Sequence, residues 1–322
     1  MHEIEAIANL WHESQVEAKR VALATVVSVK GSAYRRSGAR MLLTEDGRSA
    51  GMINGGCLDG DLWAHAHEVM ELGLPTLVCY DTTAPDDVVF GLGLGCRGVV
   101  KILIEPVNNL DWLTYGQTVE VVYEADEQRK LRGTQPCDTT TARSDGTFVQ
   151  HIESPQRLLV FGAGQDAVPL HAMARLAGFE VEVFDNRAPS SARSPLLLSR
   201  YYPVEHLAGH LNITPDTACV IMTHNFLYDL ELLKLLLPSP ARYVGILGPR
   251  RRTDELLEKI GTATLLPPVE LVPAHFDKLH SPVGLDIGAE TPEEIALSIL
   301  PEIQKTRRHK SGLSLREKKA IH

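Results

Sequence analysis

The chain has 322 residues, 44% of them hydrophobic, and a formal net charge of -9, which is room for two domains, each with a real core. An acidic balance excludes a broad nucleic-acid-binding face, which needs a basic surface, and argues against an anionic membrane as partner. No stretch reaches the roughly 18 apolar residues needed to span a bilayer, and five scattered cysteines without a CxxC spacing argue against a disulfide framework or a closed zinc site.

The opening "MHEIEAIANLWHESQ" carries early acids and no basic n-region, so residues 3–20 are read as an amphipathic helix and not as a signal peptide. Free thiols then place the protein in the cytoplasm. "VALATVVSV", Val21–Val29, is a β-branched apolar run and predicts a strand. A loop, "GSAYRRSG", leads to a second strand at Met41–Thr44 and a turn at Glu45–Gly47. Arg35 and Arg36 in that loop carry guanidinium forks that match an anionic cofactor; solvated arginines are the competing reading.

"INGGCLDGDLWAHA" follows. Gly55 and Gly56 permit a tight turn and a close approach to the backbone. Cys57 stands just before a helix predicted over Leu62–Leu72, where partly positive N–H groups favour thiolate. His65 and His67 lie further along that helix and are expected to face away from Cys57. "PTLVCYD" and "VVKILIEP" predict two strands flanking "DDVVFGLGLGCRG". Cys96 in that segment sits in a second glycine loop, with Arg97 beside it to hold an anion. An inert buried thiol is the competing reading for both cysteines. Cys79 and Cys219 lie in strands and read as core.

Residues 125–156 are polar, rich in Thr, Ser and Gly, and are read as a linker in which Cys137 is incidental. Strands then alternate with helices. "RLLVFGAGQDAVPLHAMARLAGFEVEVFDNR" reads strand, glycine turn, helix, strand, with further strands at "ACVIMTH" and "RYVGILG" and a helix at "LYDLELLKLLL". The alternation predicts a doubly wound parallel sheet. "VFGAGQDA" matches the dinucleotide fingerprint: Gly162 for the tight turn, Gly164 for phosphate approach, Ala167 at the helix–strand contact. Asp185, about 20 residues on, stands where an acid binds a ribose hydroxyl, and Arg187 could meet a phosphate or simply pair with solvent-facing acids. An architectural fold without a nucleotide is the alternative. His224 ends a strand, where such folds place ligands; it is either an acid–base residue or a loop cap. A final helix is predicted over Pro292–Gln304, entered through a threonine cap and a first-turn proline, and the tail is basic.

Taken together, these stretches resemble the xanthine dehydrogenase accessory proteins, the XdhC/CoxI family. "ATVVSVKGSAYRRSGARMLLTEDGRSAGMINGGCLDGD" and "GLGLGCRGVVKILIEP" are similar to its first domain. "LLVFGAGQDAVPLHAMARLAGFEVEVFDNR", "YVGILGPRRR" and "PVGLDIGAETPEEIALSIL" are similar to its second. The resemblance implies a mixed α/β N-terminal domain over residues 1–124, the linker over 125–156, a Rossmann-like domain over 157–307 and a tail over 308–322. It implies a chaperone without turnover that binds molybdenum cofactor, in its molybdopterin or nucleotide form, and helps insert it into an apo molybdenum hydroxylase of the xanthine dehydrogenase type. A cysteine desulfurase and a second copy of the chain are the further partners implied. Candidate cofactor residues are Gly55, Gly56, Cys57, Asp59, Cys96 and Arg35 in the first half and Gly162, Gly164, Gln165, Asp185 and Arg187 in the second, with Cys57 the candidate molybdenum ligand. Gln165 stands where the family often has histidine, and Arg97 where it often has glycine. The alternative function is an NAD(P)-dependent oxidoreductase built on the second domain.

Overall fold

The structure is a computed structural model and describes residues 3–81, 98–124, 133–138, 146–187, 199–262 and 264–317. Cys96, Arg97 and their glycine loop lie outside the described residues, as do parts of the 125–156 segment and the end of the tail. The chain divides into two units, Met1–Ser154 and Pro155–His322. No helix among the described residues is long and apolar enough to cross a membrane.

The first unit begins with α1 (Glu3–Val16), then β1 (Val21–Gly31), β2 (Arg40–Thr44), β3 (Ser49–Gly51), α2 (Asp59–Leu72), β4 (Thr76–Asp81) and β5 (Gly98–Pro106). These strands form one antiparallel sheet in the order β3-β2-β1-β5-β4. Side chains alternate across a strand, and both faces of β1 are covered, which is why its sequence is apolar almost throughout. Ala22, Ala24 and Val26 meet Leu62, Ala66 and Val69 of α2. Leu23 meets Ile7, Leu10 and Trp11 of α1.

The segment read as a linker is in part a sheet. β6 (Thr118–Val122) pairs antiparallel with β7 (Gly133–Pro136) and with β8 (Thr147–His151). Its two added strands are mostly polar and only half-buried, so no apolar alternation announces them; the buried side is supplied by Val119 and Val121 of β6. Arg40, only 1% exposed, spans the gap to this sheet by donating to Gln150 Oε1 at 2.6 Å. Glu105 of β5 accepts from the Thr134 amide of β7 at 2.8 Å. Burial pushes the Arg40 guanidinium down to about 10, against the pull of Glu105 and Glu3. Cys79, expected in the core, is exposed: β4 is an edge strand, and position 79 falls on its outward face.

The second unit runs β9 (Arg157–Phe161), α3 (Ala167–Leu176), β10 (Glu180–Asp185), β11 (Arg200–Tyr201), α4 (Val204–Leu207), β12 (Thr217–Ile221), α5 (Phe226–Leu236), β13 (Tyr243–Ile246), α6 (Arg250–Lys259), β14 (Leu279–His280) and α7 (Pro292–Arg307). All six strands are parallel, in the order β11-β10-β9-β12-β13-β14. That is the doubly wound dinucleotide-fold order, with its switch point between β9 and β12. Leu159, Phe161, Cys219 and Ile221 face α5 on one side, while Leu158, Val160, Ala218 and Val220 face α3 and α7 on the other. Cys219 is buried as expected, and burial pushes its thiol up to about 12.

The helix α7 starts as its sequence predicts, with Thr291 and Glu294 in a reciprocal capping box and Pro292 at the first position. It is fastened to the sheet by Glu302, which accepts from Tyr243 Oη at 2.7 Å and the Gly284 amide at 2.8 Å and sits 3.3 Å from His280 Nδ1. Burial alone would raise this carboxyl, but the hydrogen bonds from His280, Tyr243 and Gly284 outweigh it and hold the group down to about 2. The folded-state pKa lies below the unfolded value of about 4.3. Its stabilisation is therefore complete above the unfolded value and disappears as pH falls through the folded one. Glu302→Gln is expected to cost about 2 kcal/mol at pH 7, with the gap to the native protein shrinking steadily below pH ~4.3; urea melts of both proteins from pH 7 to pH 3 check it.

Candidate functional site

In the first unit the glycine–cysteine loop is organised by a residue that the sequence reading passed over. Asn54 is buried, and its side-chain oxygen accepts from the Gly56 amide at 2.5 Å and the Leu58 amide at 3.4 Å. Its amide nitrogen donates to Asp59 Oδ1 at 3.0 Å. An asparagine bonding amides two residues ahead is a turn former, and Gly56 completes the turn at φ 97°, a value that favours glycine. The turn delivers Cys57 to solvent immediately before α2, with its sulfur 4.0 Å from the Asn54 oxygen. The helix starts at Asp59, three residues earlier than predicted, so Cys57 lies closer to its N-terminus than the sequence implied.

The other candidates of this unit are structural in their contacts. Asp59 is the partner of Asn54. Arg35 is paired with Glu3 of α1 at 2.6 Å. His65 turns to Asp61 at 3.6 Å, and His67 lies against the Trp63 ring, so neither is paired with the Cys57 thiol. A Cβ at Gly55 would meet the Tyr34 ring at an ordinary 3.7 Å. No group of three or more His, Cys, Asp or Glu side chains suited to a metal ion occurs among the described residues. The site is one accessible thiol on a fixed turn.

In the second unit the loops that matter leave the carboxyl ends of β9, β10 and β12, on both sides of the switch point. Gly162 adopts φ 115°, and a Cβ there would strike the Met222 carbonyl. At Gly164 a Cβ would meet only the end of the Asp166 side chain, at Oδ1. Asp166 stands at the start of α3, makes no capping hydrogen bond, and turns to His224 Nε2 at 2.8 Å. His224 holds a left-handed φ of 57° with its side chain 65% exposed. Gln165, which precedes Asp166 in the chain, is exposed.

Asp185 does not wait for a ribose. Its Oδ2 accepts from the Ala163 amide and Arg187 Nη2, both at 2.7 Å. Its Oδ1 accepts from the Arg187 amide at 2.7 Å and Arg187 Nε at 2.9 Å. A carboxylate has about four acceptor positions, and all are filled. Burial would push this group up; hydrogen bonds from Arg187 and Ala163, with the Arg187 charge, hold it below the usual carboxylate range. A carboxylate at the helix start and a saturated acid at the end of β10 do not fit an ordinary dinucleotide, which needs free amides for its pyrophosphate and a free acid for its ribose.

The matches to known proteins run along the whole chain. A family described as XdhC and CoxI matches residues 15–81, and one described as the XdhC Rossmann domain matches residues 158–303. A Bacillus subtilis (strain 168) protein named as a probable subunit of xanthine dehydrogenase is 33% identical, across 92% of this chain and 95% of that protein. The molybdenum cofactor insertion chaperone PaoD of Escherichia coli (strain K12) is 25% identical, across 92% and 86%. A crystal structure of a xanthine dehydrogenase from Bacillus halodurans superposes with a TM-score of 0.77 at 30% identity, covering 100% of this chain and 98% of that one.

Asn54→Ala removes the acceptor of two loop amides and is expected to cost ~1–3 kcal/mol. Because the turn that holds Cys57 is then lost, the half-time of its alkylation by a maleimide should change while that of exposed Cys79 does not. Thermal melts and mass spectrometry of the labelled peptides measure both effects.

Proposed function

Because the chain belongs to the XdhC and CoxI family, we propose that it is an accessory protein that holds molybdenum cofactor and hands it to an apo enzyme of the xanthine dehydrogenase type. The observation that carries this reading is the exposed Cys57, presented by a buried asparagine on a loop inside the family-matched segment. The full-length likeness to a named insertion chaperone supports it.

The cofactor, when bound, supplies a thiophilic molybdenum centre and an anionic phosphate end. Thiolates suit such soft centres, and Cys57 stands exposed immediately before α2. The two glycines before it keep side chains off the approach to the loop. Among the described residues Cys57 has no cage of further ligands, and a cargo held by a single soft ligand can be released. A cysteine desulfurase, which would renew sulfur on the cargo, and a second copy of this chain complete the proposed partners. The saturated Asp185 stands against the oxidoreductase alternative.

The test is molybdenum content. Protein co-produced with the cofactor and purified without oxygen is expected to carry several-fold less molybdenum as Cys57→Ala than as the native chain. An exposed side chain is removed, so melting curves should coincide. Activation of an apo molybdenum hydroxylase by the same two preparations should fall in parallel. Equal loading of two equally stable proteins would end this reading.

A further inference from the structure

The second unit holds a cavity at the end of its sheet opposite the glycine turn. Helices α5 and α6 leave the carboxyl ends of β12 and β13 and run back towards the amino ends, as crossovers between parallel strands must. Lys234 lies in the last turn of α5, roughly 12 Å along the axis from the first residue of that helix. Ile260 directly follows α6. Between these helix ends and the segment that comes after them is a space of about 560 Å³, lined by Ile260, Leu266, Pro268, Val269 and Leu271 together with Lys234. Sites for small organic ligands span about 300–1,000 Å³ and combine mostly apolar walls with a few placed polar groups.

The wall of this cavity is fixed and its rim is apolar. Glu231 is buried and accepts from the Leu265 amide at 2.7 Å and the Leu266 amide at 3.1 Å. Lys234, 6% exposed, donates its ammonium to the Leu266 carbonyl at 2.7 Å. One helix thus grips the segment by three backbone atoms, and Ile260, Leu266 and Leu271 rest on the core behind it. Pro267 and Pro268 restrict the backbone further. The same segment leaves Leu265, Val269 and Val272 exposed. A lone exposed apolar side chain is ordinary, whereas three within one short stretch that walls a cavity mark a binding surface.

We propose that this cavity binds a small amphipathic carboxylate, with its apolar tail against Leu266, Pro268, Val269 and Leu271 and its head on the Lys234 ammonium. Charge selects the head group. Lys234 lines the cavity, while Glu231, one turn earlier on α5, keeps both carboxylate oxygens on backbone amides of the wall. An ammonium is a compact point charge suited to a single anionic group, and in a largely apolar wall it attracts that group more strongly than it would in water. The apolar walls take the tail out of water and give it dispersion contacts. The site belongs to the second unit alone and needs neither Cys57 nor its cargo.

Calorimetric titration of the full chain with octanoate, 1-octanol and octylammonium, three probes with one tail and different heads, tests it. The native chain is expected to bind octanoate at least tenfold more tightly than 1-octanol, and octylammonium most weakly. Lys234→Met keeps an apolar stem and removes the charge, so it should bind octanoate and 1-octanol alike. Val269→Trp fills the cavity from its exposed rim; it should weaken octanoate at least tenfold while its melting curve matches that of the native chain. This variant carries the test alone if Lys234→Met does not fold. Absence of octanoate binding by the native chain overturns the proposal, and so does octanoate binding unmoved by Val269→Trp. A native chain that binds 1-octanol or octylammonium as tightly as octanoate, or a preference for octanoate that survives Lys234→Met, overturns the carboxylate head on Lys234.

Discussion

A buried carboxylate that must be fully hydrogen-bonded is the constraint around which the second unit is arranged. Asp185 cannot be left bare at the end of a parallel strand, because an unpaired charge there would cost several kcal/mol. Its four donors come from two places: the backbone of the glycine turn after β9, and the residue two positions beyond the end of its own strand. Meeting that demand locks the glycine turn to the tip of β10, and the turn in turn meets the Met222 carbonyl beyond β12. Three strand ends thus share one network, and the loops that would greet a ligand are shaped first by the needs of the protein itself. His224 then keeps its left-handed backbone within reach of Asp166, a conformation that a non-glycine residue holds only when its surroundings insist.

The first unit solves a different problem. Its long strand β1 is buried on both faces, so it must be covered twice. One cover is α2; the other is shared by α1 and a small sheet, two of whose three strands are largely polar. Arg40 and Glu105 make that second cover polar inside, each reaching across to the small sheet. The glycine–cysteine turn sits at the open end of α2, away from this polar interior, and needs only one buried asparagine to hold its shape. The two units therefore present contrasting chemistry, a soft sulfur on one and a cluster of opposite charges on the other.

Most of this fold was readable because its signals are local. Apolar runs gave β1, β9 and β12, a glycine fingerprint gave the turn before α3, and a threonine–proline–glutamate start gave α7. What escaped depends on partners distant in sequence. The strands at Gly133–Pro136 and Thr147–His151 have no apolar alternation, since their inner contacts come from β6. Cys79 lies in a run that reads as core, and only the strand order shows that β4 is an edge. At the candidate sites, residue types were legible and their engagements were not. Asp185 is where the fingerprint puts it, yet Arg187, so near in sequence, consumes it. Asn54 looks like ordinary loop composition until its amide oxygen is seen between two backbone donors. The signal for it was present in "NGGC", an asparagine ahead of a glycine pair.

The two glycines of the fingerprint are held by different kinds of neighbour. Gly162 abuts a backbone carbonyl of the neighbouring strand, which no substitution elsewhere can move away, so that position tolerates no exchange. Gly164 abuts only a side chain, and a side chain can be traded. Positions 164 and 166 should therefore drift together over evolutionary time, an alanine at the first becoming admissible once the second is short. A second-site suppressor screen begun from Gly164→Ala would find its revertants at residue 166, and one begun from Gly162→Ala would find none within the turn.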